Sequence, residues 1–189
     1  MTAFAASTVG EWQSGECTVT LTDDGTLTVS PTSISGNWAS TATYTSDSPA
    51  PWQAHAGDIR RVVVGDQVML SGIFPQGSTI DSITFEGSFL CNDYRGAPFQ
   101  ECTFTTDIDV SCFGDAGTGD ETHLFSKCVF NGTLSCNLND THPTNFLTIA
   151  YACTINGDLV LNLHSSFLDE EAFPRSTITG GRSYKYCKR

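Results

Sequence analysis

Apolar residues recur at every second position in short runs along this chain: Ile83 and Phe85, Cys102 and Phe104, Cys128 and Phe130, Cys153 and Ile155. Alternation of this kind marks a strand with one buried face. A second alternating run follows in three copies, Ile108-x-Val110-x-Cys112, Leu134-x-Cys136-x-Leu138 and Leu159-x-Leu161-x-Leu163. Ahead of the first run lies a recurring anchor: Phe74-Pro-Gln-Gly77, Phe99-Gln-Glu-Cys102, Phe125-Ser-Lys-Cys128, Ala150-Tyr-Ala-Cys153 and Phe173-Pro-Arg-Ser176. The anchors start 25, 26, 25 and 23 residues apart, a period in the leucine-rich-repeat range. Two strands per repeat predict a coil of stacked rungs, in which each rung buries its face only against its neighbours.

Upstream of the array, Val19 and Leu21 alternate with polar residues, Leu27 and Val29 do the same, and Asp24-Gly25 lies between them. That combination predicts a hairpin. From Pro31 to Pro51 the chain is rich in Ser, Thr, Ala and Gly, with Trp38 and Tyr44 scattered in it, and reads as a loop. Pro51-Trp52 precedes Ile59-Arg-Arg-Val-Val-Val64, a strongly apolar strand. The expected architecture is a mainly β, irregular leucine-rich-repeat-like β-solenoid with an N-terminal β-hairpin cap. Residues 1–58 form the cap and Ser/Thr-rich loop, 59–181 a solenoid of about five rungs, and 182–189 a basic, solvated C-terminal tail.

The segments TVTLTDDGTLTVS, SPAPW and IRRVVVGDQV, followed by Phe-x-x-Cys anchors, resemble the N-terminal unit and repeat of BspA-like leucine-rich-repeat surface proteins of bacteria. The usual Pro-Asp-Ser-Val after the strand is missing, and Ala150-Tyr-Ala-Cys153 lacks the Phe. The resemblance implies a secreted or bacterial cell-surface protein that makes contacts, with no catalytic residues to carry over.

Charge narrows the partners. The chain of 189 residues has a formal net charge of -12, no Lys or Arg before Arg60, and Arg182, Lys185, Lys188 and Arg189 close together at its end. An acidic body repels phosphate backbones, so nucleic acid is not an expected partner. No apolar run approaches the roughly 18 residues of a membrane span, so no membrane insertion of this segment is expected. The start, Met1-Thr-Ala-Phe-Ala-Ala-Ser, lacks a basic region and hydrophobic core, and is read as residues flanking a signal-peptide cleavage site.

Eight cysteines invite a disulfide count. Cys102, Cys128 and Cys153 share one slot and Cys112 and Cys136 another, however, and stacked residues with parallel Cβ vectors fit a disulfide torsion poorly. They are expected as buried thiols, with any bridge involving Cys17, Cys91 or Cys187.

Candidate chemistry is sparse. Asp115, Asp120 and Glu121 lack the order of a calcium loop, and His55, His123, His142 and His164 form no ligand motif, so no metal or cofactor is expected. A solenoid enzyme acting on polysaccharide would need carboxylates from different rungs, and Asp107, Asp109 and Asp158 are its candidates; the chain is expected not to be an enzyme. The outward positions of the first strand are more informative. Thr84, Thr103, Val129, Thr154 and Thr177 form one row, with Glu86, Thr105, Asn131, Asn156 and Thr179 beside it. Thr84, Thr103, Thr105, Asn131, Thr154, Asn156 and Thr177 are the expected ligand-binding residues, and the expected partner is an extracellular protein or glycan. Threonine also favours exposed strand positions for its shape alone, and a structural stalk is the other non-enzymatic possibility.

Overall fold

The computed structural model describes residues 5–33, 37–74, 80–92, 99–111, 124–138, 149–163 and 173–186. The chain opens with β1 (Thr8–Ser14), β2 (Cys17–Thr22) and β3 (Thr26–Pro31), an antiparallel meander. The β2–β3 turn is the expected one. Gly25 has φ +79°, a region open to glycine, and its amide donates to Thr22 O. Asp24 Oδ1 accepts from Thr22 Oγ1 and the Thr26 amide, and these bonds hold its carboxyl below the usual range.

After β4 (Ala39–Ser40), a 3-10 helix (Gln53–Asp58), β5 (Arg61–Val64) and β6 (Val68–Met69), the chain winds with three strands per turn. The first turn carries β7 (Ile80–Asp81), β8 (Thr84–Glu86) and β9 (Phe89–Asn92). The second carries β10 (Phe99–Gln100), β11 (Thr103–Phe104) and β12 (Ile108–Ser111). In the third are β13 (Phe125–Ser126), β14 (Val129–Phe130) and β15 (Leu134–Leu138). The fourth has β16 (Ala150–Tyr151), β17 (Thr154–Ile155) and β18 (Leu159–Leu163), before β19 (Thr177–Ile178) and β20 (Arg182–Tyr186). Strands stack into sheets of nine (β1-β2-β3-β5-β8-β11-β14-β17-β19), four (β16-β13-β10-β7) and seven (β20-β18-β15-β12-β9-β6-β4). The molecule is a β-solenoid of about four turns.

Three features depart from the sequence reading. Phe99 pairs with Ile80, not with Phe74, so the first anchor is Ile80-Asp81 and Phe74 is a buried residue outside the ladder. The stretch read as a loop contributes β4, which pairs with β6, and buries Tyr44 against Trp52. Tyr44 Oη and Ser14 Oγ lie 2.6 Å apart, and Trp52 Nε1 donates to Ile73 O, so both aromatics enter the core with their polar atoms satisfied. The start of the basic tail is β20, in parallel register with β18 from Leu159↔Arg182 to Leu163↔Tyr186. The cap also runs into the array without a break in the sheet, because β3 pairs in parallel with β5.

The anchor spacing explains one corner. Phe99 and Cys102 are both buried although three residues apart, and strict alternation cannot place both inside. A left-handed residue at this corner bends the chain: Ser82, Glu101, Lys127 and Ala152, one in each of the four turns, and Arg175 ahead of β19 have φ between 53° and 58°. At the next corner glycine allows backbone contact, a Cβ on Gly157 falling 2.1 Å from Gly132 O and one on Gly180 2.1 Å from Gly157 O.

Two phenylalanine ladders fill the core. Phe85, Phe104 and Phe130 stack at 5.1 and 4.9 Å, while Phe99 and Phe125 stack at 5.2 Å and meet the first ladder edge on. Such pairs are each worth about 0.5–1.5 kcal/mol beyond area burial. The inward residues of the second strand, Ile108, Val110, Leu134, Cys136, Leu159 and Leu161, are buried as expected. Cys112 lies outside the described residues, as do the segments 93–98, 113–123, 139–148 and 164–172 between the turns.

Candidate functional site

Parallel pairing fixes the outer face of the nine-stranded sheet. Arg61, Thr84, Thr103, Val129, Thr154 and Thr177 are register partners in succession. They form one column at a spacing of about 4.8 Å. Thr84, Thr103 and Thr154 are half-buried and Thr177 is exposed. Beside them runs the column of Glu86, Thr105, Asn131, Asn156 and Thr179, mostly exposed. The structure therefore brings all seven expected ligand-binding residues onto one surface.

The two columns differ in how their polar groups are used. Asn156 Nδ2 donates to Asn131 Oδ1 at 3.0 Å, and Thr179 Oγ1 lies 3.4 Å from Asn156 Oδ1. Thr105 Oγ1 donates to Phe85 O, and Thr179 Oγ1 also approaches Ile155 O. The second column thus hydrogen-bonds along itself and to the backbone. Among the described residues, no side-chain hydrogen bond is made by Thr84, Thr103, Thr154 or Thr177. Those hydroxyls face outward, each able to donate and accept. At the N-terminal side the face is closed by charge, Arg61 lying 3.6 Å from Glu86 and donating to Thr26 Oγ1.

Two of the aspartates considered for hydrolysis are engaged with backbone amides of the following turn. Asp107 Oδ1 accepts from the Thr133 amide at 2.7 Å, and Asp158 Oδ1 from the Gly181 amide at 2.7 Å. Each tethers the following turn at the corner after the nine-stranded sheet. Asp109 is in register with Ser135, and Ser135 with Val160, so its own column offers no second carboxylate there. Asp115, Asp120, Glu121, His123, His142 and His164 lie outside the described residues. His55 lies 3.7 Å from Asp58, and among the described residues no cluster of three metal-ligating side chains occurs.

The cysteine column is an internal hydrogen-bond ladder. Cys102, Cys128 and Cys153 are buried thiols outside any disulfide, as are Cys17 and Cys136. Cys102 Sγ lies 3.4 Å from Ile80 O, Cys128 Sγ 3.5 Å from Phe99 O and Cys153 Sγ 3.7 Å from Phe125 O, each reaching the previous turn. The flanking thiols of Cys102 and Cys153, together with burial, push the Cys128 thiol up. Burial, followed by the nearby Glu16 carboxylate, pushes Cys17 up to about 11. Cys17 and Cys128 are thereby held as protonated, structural thiols.

Sequence reasoning missed two surface features. The left-handed corner places Glu101 and Lys127 on adjacent turns, where they form an ion pair at 3.1 Å. A concavity of about 320 Å³ lies between the 3-10 helix and the first turn, walled by Gln53, Ile59, Arg60, Phe74, Ile80 and Asp81. Arg60 there donates to Gly57 O and Ile59 O, so its guanidinium is used to finish the helix. The signal that could have found the corner is the Phe-x-x-Cys spacing itself.

No family model, curated protein or solved structure matches the chain.

Proposed function

We propose that this chain is a non-enzymatic binding module that recognises an extracellular protein or glycan through the outer face of its nine-stranded sheet. The observation that supports this is the outward column Thr84, Thr103, Thr154 and Thr177, whose hydroxyls have no side-chain partner while the neighbouring column is hydrogen-bonded to itself. A rigid row of hydroxyls at strand spacing suits an extended ligand with repeating polar groups, since the platform loses little conformational freedom on binding. Val129 supplies an apolar step in the same row. The acidic body disfavours nucleic acid. The resemblance to BspA-like leucine-rich-repeat proteins favours a secreted or bacterial cell-surface location.

The test is binding of the purified chain to an array of glycans and extracellular-matrix proteins, with glycan cleavage followed in the same wells. Saturable binding, abolished by Thr103→Lys and Asn131→Lys and untouched by Asp107→Asn, is the expected result. Cleavage lost on Asp107→Asn would replace this reading with a carbohydrate-active enzyme, and silence in both assays would favour a structural stalk.

A further inference from the structure

We propose that copies of this chain assemble head to tail, the β19 edge of one copy pairing with the β1 edge of the next. Among the described residues, β1 and β19 are the outermost strands of the nine-stranded sheet. Their directions match. β1 is antiparallel to β2, β2 is antiparallel to β3, and β3 is parallel to β5 and to each later strand through β19. β1 and β19 therefore run the same way, and a second copy displaced along the solenoid axis presents β19 to β1 in the parallel sense that already joins every turn.

Among the described residues neither edge pairs with a further strand and neither strand holds Lys or Pro, while β1 carries the acid Glu11 and a register irregularity between Thr8 and Gly10. β1 carries no Lys or Pro and holds Val9, 47% exposed, one of two large apolar side chains on the described surface. β19 is Thr177-Ile178, and Ile178 lies half-buried at the open end of the core. By contrast β20, the edge of the seven-stranded sheet, contains Arg182 and Lys185, residue types that disfavour edge pairing.

Charge selects the partner and its orientation. Residues 1–59 contain Glu11, Glu16, Asp23, Asp24, Asp47 and Asp58 and no Lys or Arg, whereas residues 173–189 contain Arg175, Arg182, Lys185, Lys188 and Arg189 and no acid. A two-fold contact between β1 edges would set acids against acids, and one between β19 edges cations against cations. Only head to tail sets opposite charges together. The match extends to the ends of the strands. Thr8 pairs with Thr22, so β1 begins beside Asp23 and Asp24, while Arg175 is exposed just ahead of β19. With the two strands parallel, Arg175 comes to the side that carries those aspartates. A heterologous contact of this kind does not close on itself and yields a growing series rather than a dimer.

The test is sedimentation velocity on the 189-residue chain from micromolar to millimolar concentration, at low and high salt. The expected result is a ladder of species beyond the dimer that lengthens with concentration and shortens with salt. Val9→Lys with Glu11→Lys at one end, and Arg175→Glu at the other, replace exposed side chains. Each variant is expected to sediment as a monomer while keeping its far-ultraviolet spectrum; Arg175→Glu also gives up the bond to Tyr151 Oη at 2.8 Å and the contact with that ring, so its melting midpoint falls. Mixing the two variants restores association, because the unaltered tail of the first meets the unaltered head of the second. A monomer at every concentration, a species that stops at the dimer, or association indifferent to both variants would overturn the proposal.

Discussion

The amide of Cys128 donates to the sulfur of Cys153 in the following turn, at 3.3 Å. One turn later the Cys153 amide makes the same bond to Ser176 Oγ, at 3.1 Å. Ser176 Oγ also donates to Ala150 O, as Cys153 Sγ reaches Phe125 O. The slot thus requires a small side chain that both donates and accepts, and sulfur is one of two chemical solutions to it.

Replacement of Cys153 should follow that requirement. Cys153→Ser keeps both bonds and is expected to cost less than about 1 kcal/mol, whereas Cys153→Ala leaves the Cys128 amide unpaired in the core and costs about 1–3 kcal/mol. Urea denaturation of the two variants checks the order. A serine variant less stable than the alanine variant would show that the slot is only an apolar hole.

Gly157 is under a different constraint. A Cβ there meets Gly132 O at 2.1 Å, and that oxygen belongs to the backbone of the adjacent turn. Gly157→Ala must push two turns apart and is expected to lose about 1–3 kcal/mol, the usual cost of overpacking. Gly57→Ala is the control, since nothing lies within 4 Å of its Cβ. Thermal melts should separate the pair clearly.

Ala152 sits at φ 53° without the glycine that such a conformation favours. The left-handed region costs an L-residue roughly 1–2 kcal/mol, and glycine returns part of this through its freer unfolded chain. Ala152→Gly is therefore expected to raise stability by about 0.5–1 kcal/mol, read as a shift in the urea midpoint without change in slope.

That column also shows where sequence reading stops. Period-two alternation exposed the strands that bury Phe104, Phe130, Leu134 and Leu161, because a side chain on the wrong face would lose its whole burial. The outer face followed directly, since Thr103 and Thr154 alternate with those buried positions. The corners showed only in the Phe-x-x-Cys spacing, which sets two buried residues three apart, and not in the residue that bends. Glu101, Lys127, Ala152 and Arg175 share the left-handed backbone of Ser82 without a turn-forming side chain, so packing on both sides, not local preference, imposes the bend there. Phe74 misled for a related reason: it is buried like an anchor, yet Ile80 holds the strand position beside Phe99. The long Ser/Thr-rich stretch hid β4 because a strand of two residues shows no period.

Cys17 gives the fold a dependence on alkaline pH. Its thiol, buried beneath the β1–β2 corner and donating to Ala39 O, is pushed from 9.0 up to about 11, first by burial and then by the Glu16 carboxylate. A pKa raised in the folded state means that the unfolded chain releases its proton first as pH rises. The contribution of Cys17 to stability is therefore complete below about pH 9 and is lost progressively between 9.0 and about 11. Other groups titrate in the same window, so the informative quantity is the difference between the parent chain and Cys17→Ser, which retains a donor to Ala39 O and has no titrating thiol. Melting temperatures followed from neutral pH upward should fall more steeply for the parent than for the serine variant beyond about pH 9. Parallel curves for the two would mean that water reaches the Cys17 sulfur in the folded protein, so that burial beneath the corner is not what sets its acidity.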